Sequence, residues 1–126
     1  MGLTLGAVFW ARLGGSPVEH MYVVISRPEE DQIAVVPLTT WEEWKDDSCY
    51  IEAGEYEELH HDSCVDYRHA PIVQVVKIEM AITKGVLRQS EPVSKSLLMR
   101  IWEGAADTRF LPRQCEDILS RQGLIA

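Results

Sequence analysis

The chain has 126 residues, of which 46% are hydrophobic and 25% charged, with a mean hydropathy of −0.11. That is enough apolar material for the core of one domain, and it excludes an intrinsically disordered chain. No apolar run approaches the roughly 18 residues that a membrane span needs. Twelve Lys and Arg against twenty Asp and Glu give a net charge of −8. Nine of the acids fall between Glu42 and Asp62 with a single base, Lys45, leaving eleven acids and eleven bases elsewhere. An acidic chain argues against broad, salt-driven binding to a phosphate backbone but leaves room for a small local basic site.

The opening MGLTLGAVFWARLGG has no basic start and is broken by Gly6 and Arg12, so no export signal is expected and a soluble, cytoplasmic protein is the default. The alternating, Gly-bounded segment Gly6 to Leu13 reads as a strand, and Gly14-Gly15-Ser16-Pro17 as a turn. Met21 to Ser26 is a continuous β-rich run, the pattern of a strand covered on both faces. After the breaker Pro28 to Asp31, Gln32 to Thr39 reads as a third strand. It should end, bulge or lie at an edge at Pro37, which cannot donate a ladder hydrogen bond. Cys49 to Ile51 and Ser63 to Tyr67 read as short strands, and Pro71 to Ile78 as a later one. Beyond Gly85 the period changes. A helix is expected from Pro92, capped by Ser90 or Glu91, with Val93, Leu97, Ile101 and Ala105 on its apolar face and Leu98 and Trp102 beside it. A second helix should run from near Pro112 to Gly123, its apolar positions being Leu111, Cys115, Ile118 and Leu119. The expected fold class is therefore mainly β with C-terminal helices, a small, strongly bent sheet or barrel with a helix packed against it.

Four places at strand ends carry polar chemistry. His20 directly precedes the buried run; it is either a turn residue or an acid or base working near neutral pH. Thr39 and Thr40 end the third strand; they are either ordinary strand formers or hydroxyls for a phosphate oxygen, with Trp41 and Trp44 as core or as a stacking surface for bases. In His60-His61-Asp62-Ser63 the two imidazoles point to opposite faces, so at most one joins a given site, and Asp62 can orient it. Lys77, Lys84 and Arg88 form a basic group around the turn after the last strand. Three cysteines, Cys49, Cys64 and Cys115, are an odd count and read as free thiols. Cys49, His60, His61, Cys64 and His69 can be drawn as a zinc set, but no CxxC or HxxxH spacing supports one, so no metal is expected. There is no GxGxxG, P-loop, GxSxG or HExxH, and no cofactor is expected.

The ordered series GAVFWARL, a Gly/Ser/Pro turn, HMYVVIS, IAVVPLTT, HDSCVDY, ITKGVL and the helix SEPVSKSLLMRIWEGA resembles the MazF/PemK (Kid-like) toxins of bacterial toxin–antitoxin systems, over residues 5 to 106. The resemblance implies one domain over residues 1–126, an SH3-like small barrel of the MazF/PemK and CcdB type, extended by a helical tail from about residue 108. It implies a homodimer, a cognate antitoxin partner, no membrane, and a metal-independent endoribonuclease that cuts single-stranded RNA through a cyclic phosphate. It places His20, Thr39 and the pair Asp62-Ser63 at the family's site positions; together with the residue reading this gives His20, Thr39, His61 and Ser63 as catalytic candidates and Thr40, Trp41, Lys77, Lys84 and Arg88 as RNA-binding candidates. The chain departs from the pattern where the family's Arg-Pro is His20-Met21 and where its acidic or polar residue is Ala7. The alternative function is a non-catalytic protein-interaction domain on the same fold, docking a partner through the acidic region or the apolar residues of the C-terminal helix.

Overall fold

The structure, a computed structural model, describes residues 2–126, so of the expected domain span only position 1 lies outside it. Strands β1 (Val8–Ala11), β2 (His20–Val24) and β3 (Gln32–Thr40) form an antiparallel meander. Two short strands, β4 (Tyr50–Ile51) and β5 (Ser63–Val65), follow, then β6 (Ile72–Gln74), helix α1 (Val75–Thr83), β7 (Arg88–Ser90), α2 (Lys95–Asp107) and α3 (Arg113–Arg121). The sheet has seven strands, ordered β4-β5-β3-β2-β1-β7, with β6 also paired to β3. Every pairing is antiparallel. The sheet stays open between β4 and β7 and does not close into a barrel, so the architecture is mixed α/β rather than the mainly β barrel expected.

Burial explains the continuous apolar run in β2. Met21 and Val23 join one core with Val8, Ala34, Val36 and Leu38, under α2 and α3. Tyr22 and Val24 join a second core with Phe9, Ile33 and Val35, under Ile78 of α1. Alternate residues thus serve opposite faces, both of them covered.

Three sequence expectations need correction. The strand expected over Pro71 to Ile78 stops at Gln74, and α1 begins at Val75. Val75, Ile78 and Ile82 pack inward while Val76 and Met80 stay exposed, a helical spacing that emerges only when the run is read on to Ile82. Asp31, in the turn before β3, anchors the start of α1: its carbonyl accepts from the Val75 amide at 2.8 Å and its carboxylate from the Val76 amide at 3.4 Å. Next, α2 starts at Lys95, not Pro92; its cap is Ser94, whose hydroxyl accepts from the Leu97 amide at 3.1 Å, while Ser90 ends β7. Finally, Pro37 neither ends nor bulges β3. The Val35 amide bonds Pro71 and the Pro37 carbonyl bonds the Asp66 amide, so this side of β3 faces β6 before Pro37 and β5 after it. The donor that proline lacks falls in the gap between those two neighbours.

That gap is filled by the 3-10 turn Tyr67–His69. Tyr67 is buried between the sheet and α2, and its hydroxyl donates to the Ile101 carbonyl at 2.6 Å. Gly104, one helical turn on, leaves room for it: a Cβ there would lie 2.3 Å from the Tyr67 hydroxyl and 2.8 Å from the Ser48 carbonyl oxygen. The C-terminal tail is integral too. Cys115, Ile118 and Leu119 are buried in the larger core, and the Gln122 side-chain amide bridges both backbone groups of Arg27. Among the described residues, no helix is long and apolar enough to cross a membrane.

Gly104→Ala is expected to destabilise the fold by about 2 kcal/mol through overpacking, and Tyr67→Phe by about 1 kcal/mol through the lost hydrogen bond. The double variant should lose less than the sum, because removing the hydroxyl relieves the closest clash; urea midpoints check this, and strict additivity would refute it. The three cysteines are free and buried, and burial pushes Cys49 and Cys64 to about 11 and Cys115 to about 12. At pH 8 a thiol reagent should therefore label none until urea is added. Because folding raises these thiol pKa values, their contribution to stability is complete below pH 9 and fades as the pH climbs toward 11 and 12.

Candidate functional site

The register of β2 against β3 sets Tyr22 opposite Pro37 and Val24 opposite Val35. Carried two residues further, it sets His20 opposite Thr39. By alternation all of these side chains belong to the α1 face of the sheet, with His20, Tyr22, Pro37 and Thr39 at the end that α1 leaves uncovered. A cleft of about 560 Å³ opens there, with His20, Tyr22, Pro37 and Thr39 on the sheet, the Leu13–Ser16 turn on one side and the segment Asp66 to Pro71 on the other. Of the catalytic candidates named from the sequence, His20 and Thr39 line this cleft together.

Three further groups in and beside the cleft carry chemistry that the sequence did not assign to this place. His69 lines it, and its Nδ1 lies 2.7 Å from Asp66 Oδ2. With Nδ1–H donated to the carboxylate, Nε2 is left to exchange protons. Arg68 lines it as well; its guanidinium lies 4.3 Å from the Phe110 ring centroid and forms no ion pair among the described residues. Lys45 donates from Nζ to the Thr39 hydroxyl at 3.0 Å and to the Thr40 carbonyl at 2.7 Å, bringing an ammonium to the edge of the site. The spacing Asp66-x-x-His69 in a turn between two strands was the available signal for the first of these. Burial pushes the Tyr22 phenol on the cleft floor above its usual value.

The other sequence candidates lie elsewhere. Ser63 is buried in β5, opposite Thr40, and its hydroxyl donates to the His61 carbonyl at 3.1 Å; His61 is exposed, and neither residue lines the cleft. Thr40 is exposed and alternates away from Thr39. Trp41 packs edge-on to Tyr50, ring centroids 5.2 Å apart, and Tyr50 donates its hydroxyl to Asp62. Lys77 is exposed on α1, Lys84 caps its end, and Arg88 pairs with Glu58 at 2.9 Å while lying over the Trp10 ring. These three cations do not border the cleft. The drawn zinc set is dispersed: Cys49 and Cys64 are buried while His60, His61 and His69 are exposed, and no metal-holding cluster of three occurs among the described residues.

The acidic segment is largely occupied in holding itself together. Glu55 pairs with Arg100 and Glu58 with Arg88, and each cation holds its carboxyl below the usual range. Asp62 is lowered by the Tyr50 hydroxyl and the Ala53 amide. Burial pushes Asp46 up, but hydrogen bonds from Ser48 and Thr108 outweigh it and leave it low. The apolar residues of the C-terminal helix, offered above as a docking face, are spent in the chain's own core. No protein-family model matches this chain, and comparisons with curated proteins and with solved structures likewise find no match.

Proposed function

We propose that this chain is a divergent MazF/PemK-like toxin, a metal-independent endoribonuclease acting on single-stranded RNA, its open sheet being a relative of the SH3-like barrel of that family. The observation that supports it is one cleft holding two imidazoles, His20 and His69, with the Thr39 hydroxyl and two cations, Arg68 and Lys45, at its edge. RNA carries its own nucleophile, so cleavage needs only proton transfer at two oxygens and charge stabilisation at phosphorus. His69, its Nδ1–H given to Asp66, takes the 2′-hydroxyl proton at Nε2. The 2′-oxygen bonds to phosphorus, the bond to the 5′-oxygen breaks, and His20 supplies the proton that this oxygen needs. Arg68, Lys45 and the Thr39 hydroxyl meet the charge on the pentavalent phosphate. The products are a 2′,3′-cyclic phosphate and a 5′-hydroxyl. His20 replaces the family's arginine; the permanent charge lost there is supplied by Arg68 on the facing turn. A homodimer and a cognate antitoxin belong to the same reading.

Purified protein is expected to cleave a single-stranded RNA in excess EDTA and to leave its 2′-deoxy counterpart whole. His20→Ala and His69→Ala should each lower kcat at least about 100-fold, and Thr39→Ala and Arg68→Ala should lower kcat/KM. His61→Ala should cleave like wild type. Equal cleavage by wild type and both His20 and His69 variants, or none by any, defeats the proposal.

Asp66→Asn is a separate check on the dyad. It keeps a side chain of the same size but removes the charge, so kcat should fall roughly tenfold or more while KM and the urea midpoint hold, the pair being too exposed to matter for stability. An unchanged kcat would remove Asp66 from the mechanism.

A further inference from the structure

A second cleft, of about 420 Å³, adjoins the first and shares with it Thr39, Asp66, Arg68 and His69. Its remaining lining includes Lys45 and Asp46 and two rings, Trp44 from the loop after β3 and Phe110 from the link between α2 and α3. Trp44 is 79% exposed, the most exposed large apolar side chain among the described residues, and no other part of the chain covers it. Each ring comes with a cation: Lys45 Nζ is 5.3 Å from the Trp44 ring centroid, and the Arg68 guanidinium is 4.3 Å from that of Phe110.

We infer that this second cleft is a nucleobase subsite, taking the base on one side of the scissile phosphate while the first cleft takes its neighbour, so that the minimal substrate is a dinucleotide step of single-stranded RNA. For the identity of its ligand the inference rests on the ribonuclease reading. Groups common to the two clefts are the ones assigned to the phosphate, which is where a two-nucleotide substrate must cross from one to the other. Exposed rings flanked by cations are how single-stranded nucleic acid is held without base readout, because every base has a face to stack. The acids nearby are held by the chain's own groups: Asp46 accepts from Ser48 and Thr108, Asp66 faces His69, and Glu42 pairs with Lys45 at 3.5 Å, which leaves Arg68 as the cation without an ion pair among the described residues. With a net charge of −8 the protein gains little from long phosphate contacts, so a short substrate gripped by stacking fits it better than a long one gripped by charge. Phe110 lies beyond the part of the chain that resembles the toxin family, so the tail that completes the core also completes the site.

The test uses a labelled 2′-O-methyl ribotetranucleotide, which cannot be cleaved, followed by fluorescence anisotropy. Trp44→Ala and Phe110→Ala should each weaken binding about tenfold. Trp44→Phe should restore most of it, and Val86→Ala, an exposed apolar residue that lines neither cleft, should bind like wild type. The log–log salt slope should be shallow, roughly −0.7 to −1.4 for the one or two phosphates held. Binding by the Trp44 and Phe110 variants equal to wild type, or no binding by wild type, overturns the subsite. Cleavage of unmodified RNA by the same proteins is read separately. Cleavage with unweakened variant binding removes the subsite and keeps the nuclease. Weakened variant binding with no wild-type cleavage keeps the stacking site and removes the nuclease.

Discussion

The packing of Tyr67 against Gly104 holds the candidate site in place. The phenol is buried and its hydroxyl caps onto the Ile101 carbonyl, so the 3-10 turn is fixed to α2 on one face of the sheet while Arg68 and His69, the next two residues, reach solvent. Backbone bonds between Asp66 and Pro37 and between Val35 and Pro71 tie its two flanks to β3, while its side-chain cap is absent and the Asp66–His69 pair is too exposed to contribute much stability. The mutual fit of one aromatic ring and one missing Cβ therefore transmits the rigidity of the core to two residues at the surface. A site built on a loop needs such support, because displacement by an ångström is enough to spoil proton transfer.

Pro37 provides the space into which that turn fits. A continuous neighbour along the whole of β3 would need a donor at every second residue on that side. Proline withholds one, and β5 and β6 are accordingly separate strands with a loop between them. The open edge, the turn and the cleft are thus one feature. It also accounts for a sheet that bends without closing: β3 changes partner midway, and β4 and β7 remain at opposite ends.

The parts of this arrangement legible in the sequence were those carried by a local pattern. The double-sided burial of β2 follows from its continuous apolar run and the apolar faces of α2 and α3 from four-residue recurrence, whereas His20 and Thr39 were set together only by the family resemblance. What escaped were features set by contacts distant in the chain. Helix α1 was hidden because Val75, Val76 and Ile78 prolong the β-branched run of Ile72 and Val73, and the helical spacing shows only once Ile82, in the same core as Phe9 and Ile33, is included. His69 was read only as an outlying metal ligand, since its partner Asp66 gains meaning from the turn that Tyr67 anchors. Ser63 looked equally suited to chemistry, but strand register turned it into the core.

Charge was the least legible property, because a sum over residues says nothing about pairing. Nine acids crowd residues 42 to 62, which suggests a surface that repels phosphate. In the fold Glu55 and Glu58 meet arginines from α2 and β7, Asp46 is enclosed by hydroxyls, and Asp62 receives a phenol and an amide. The segment is a brace across the β4–β5 end of the molecule, using carboxylates where a larger domain would use apolar area. Arg68, by contrast, forms no ion pair among the described residues and lies over the Phe110 ring at the cleft, with Lys45, shared between Glu42 at 3.5 Å and the Trp44 ring, beside it. A protein that is acidic as a whole can therefore still present positive charge at one place, and the reach of that charge is short, about a Debye length. On the proposed reading, such a surface would not gather nucleic acid from afar but would discriminate at contact, through stacking and a few hydrogen bonds.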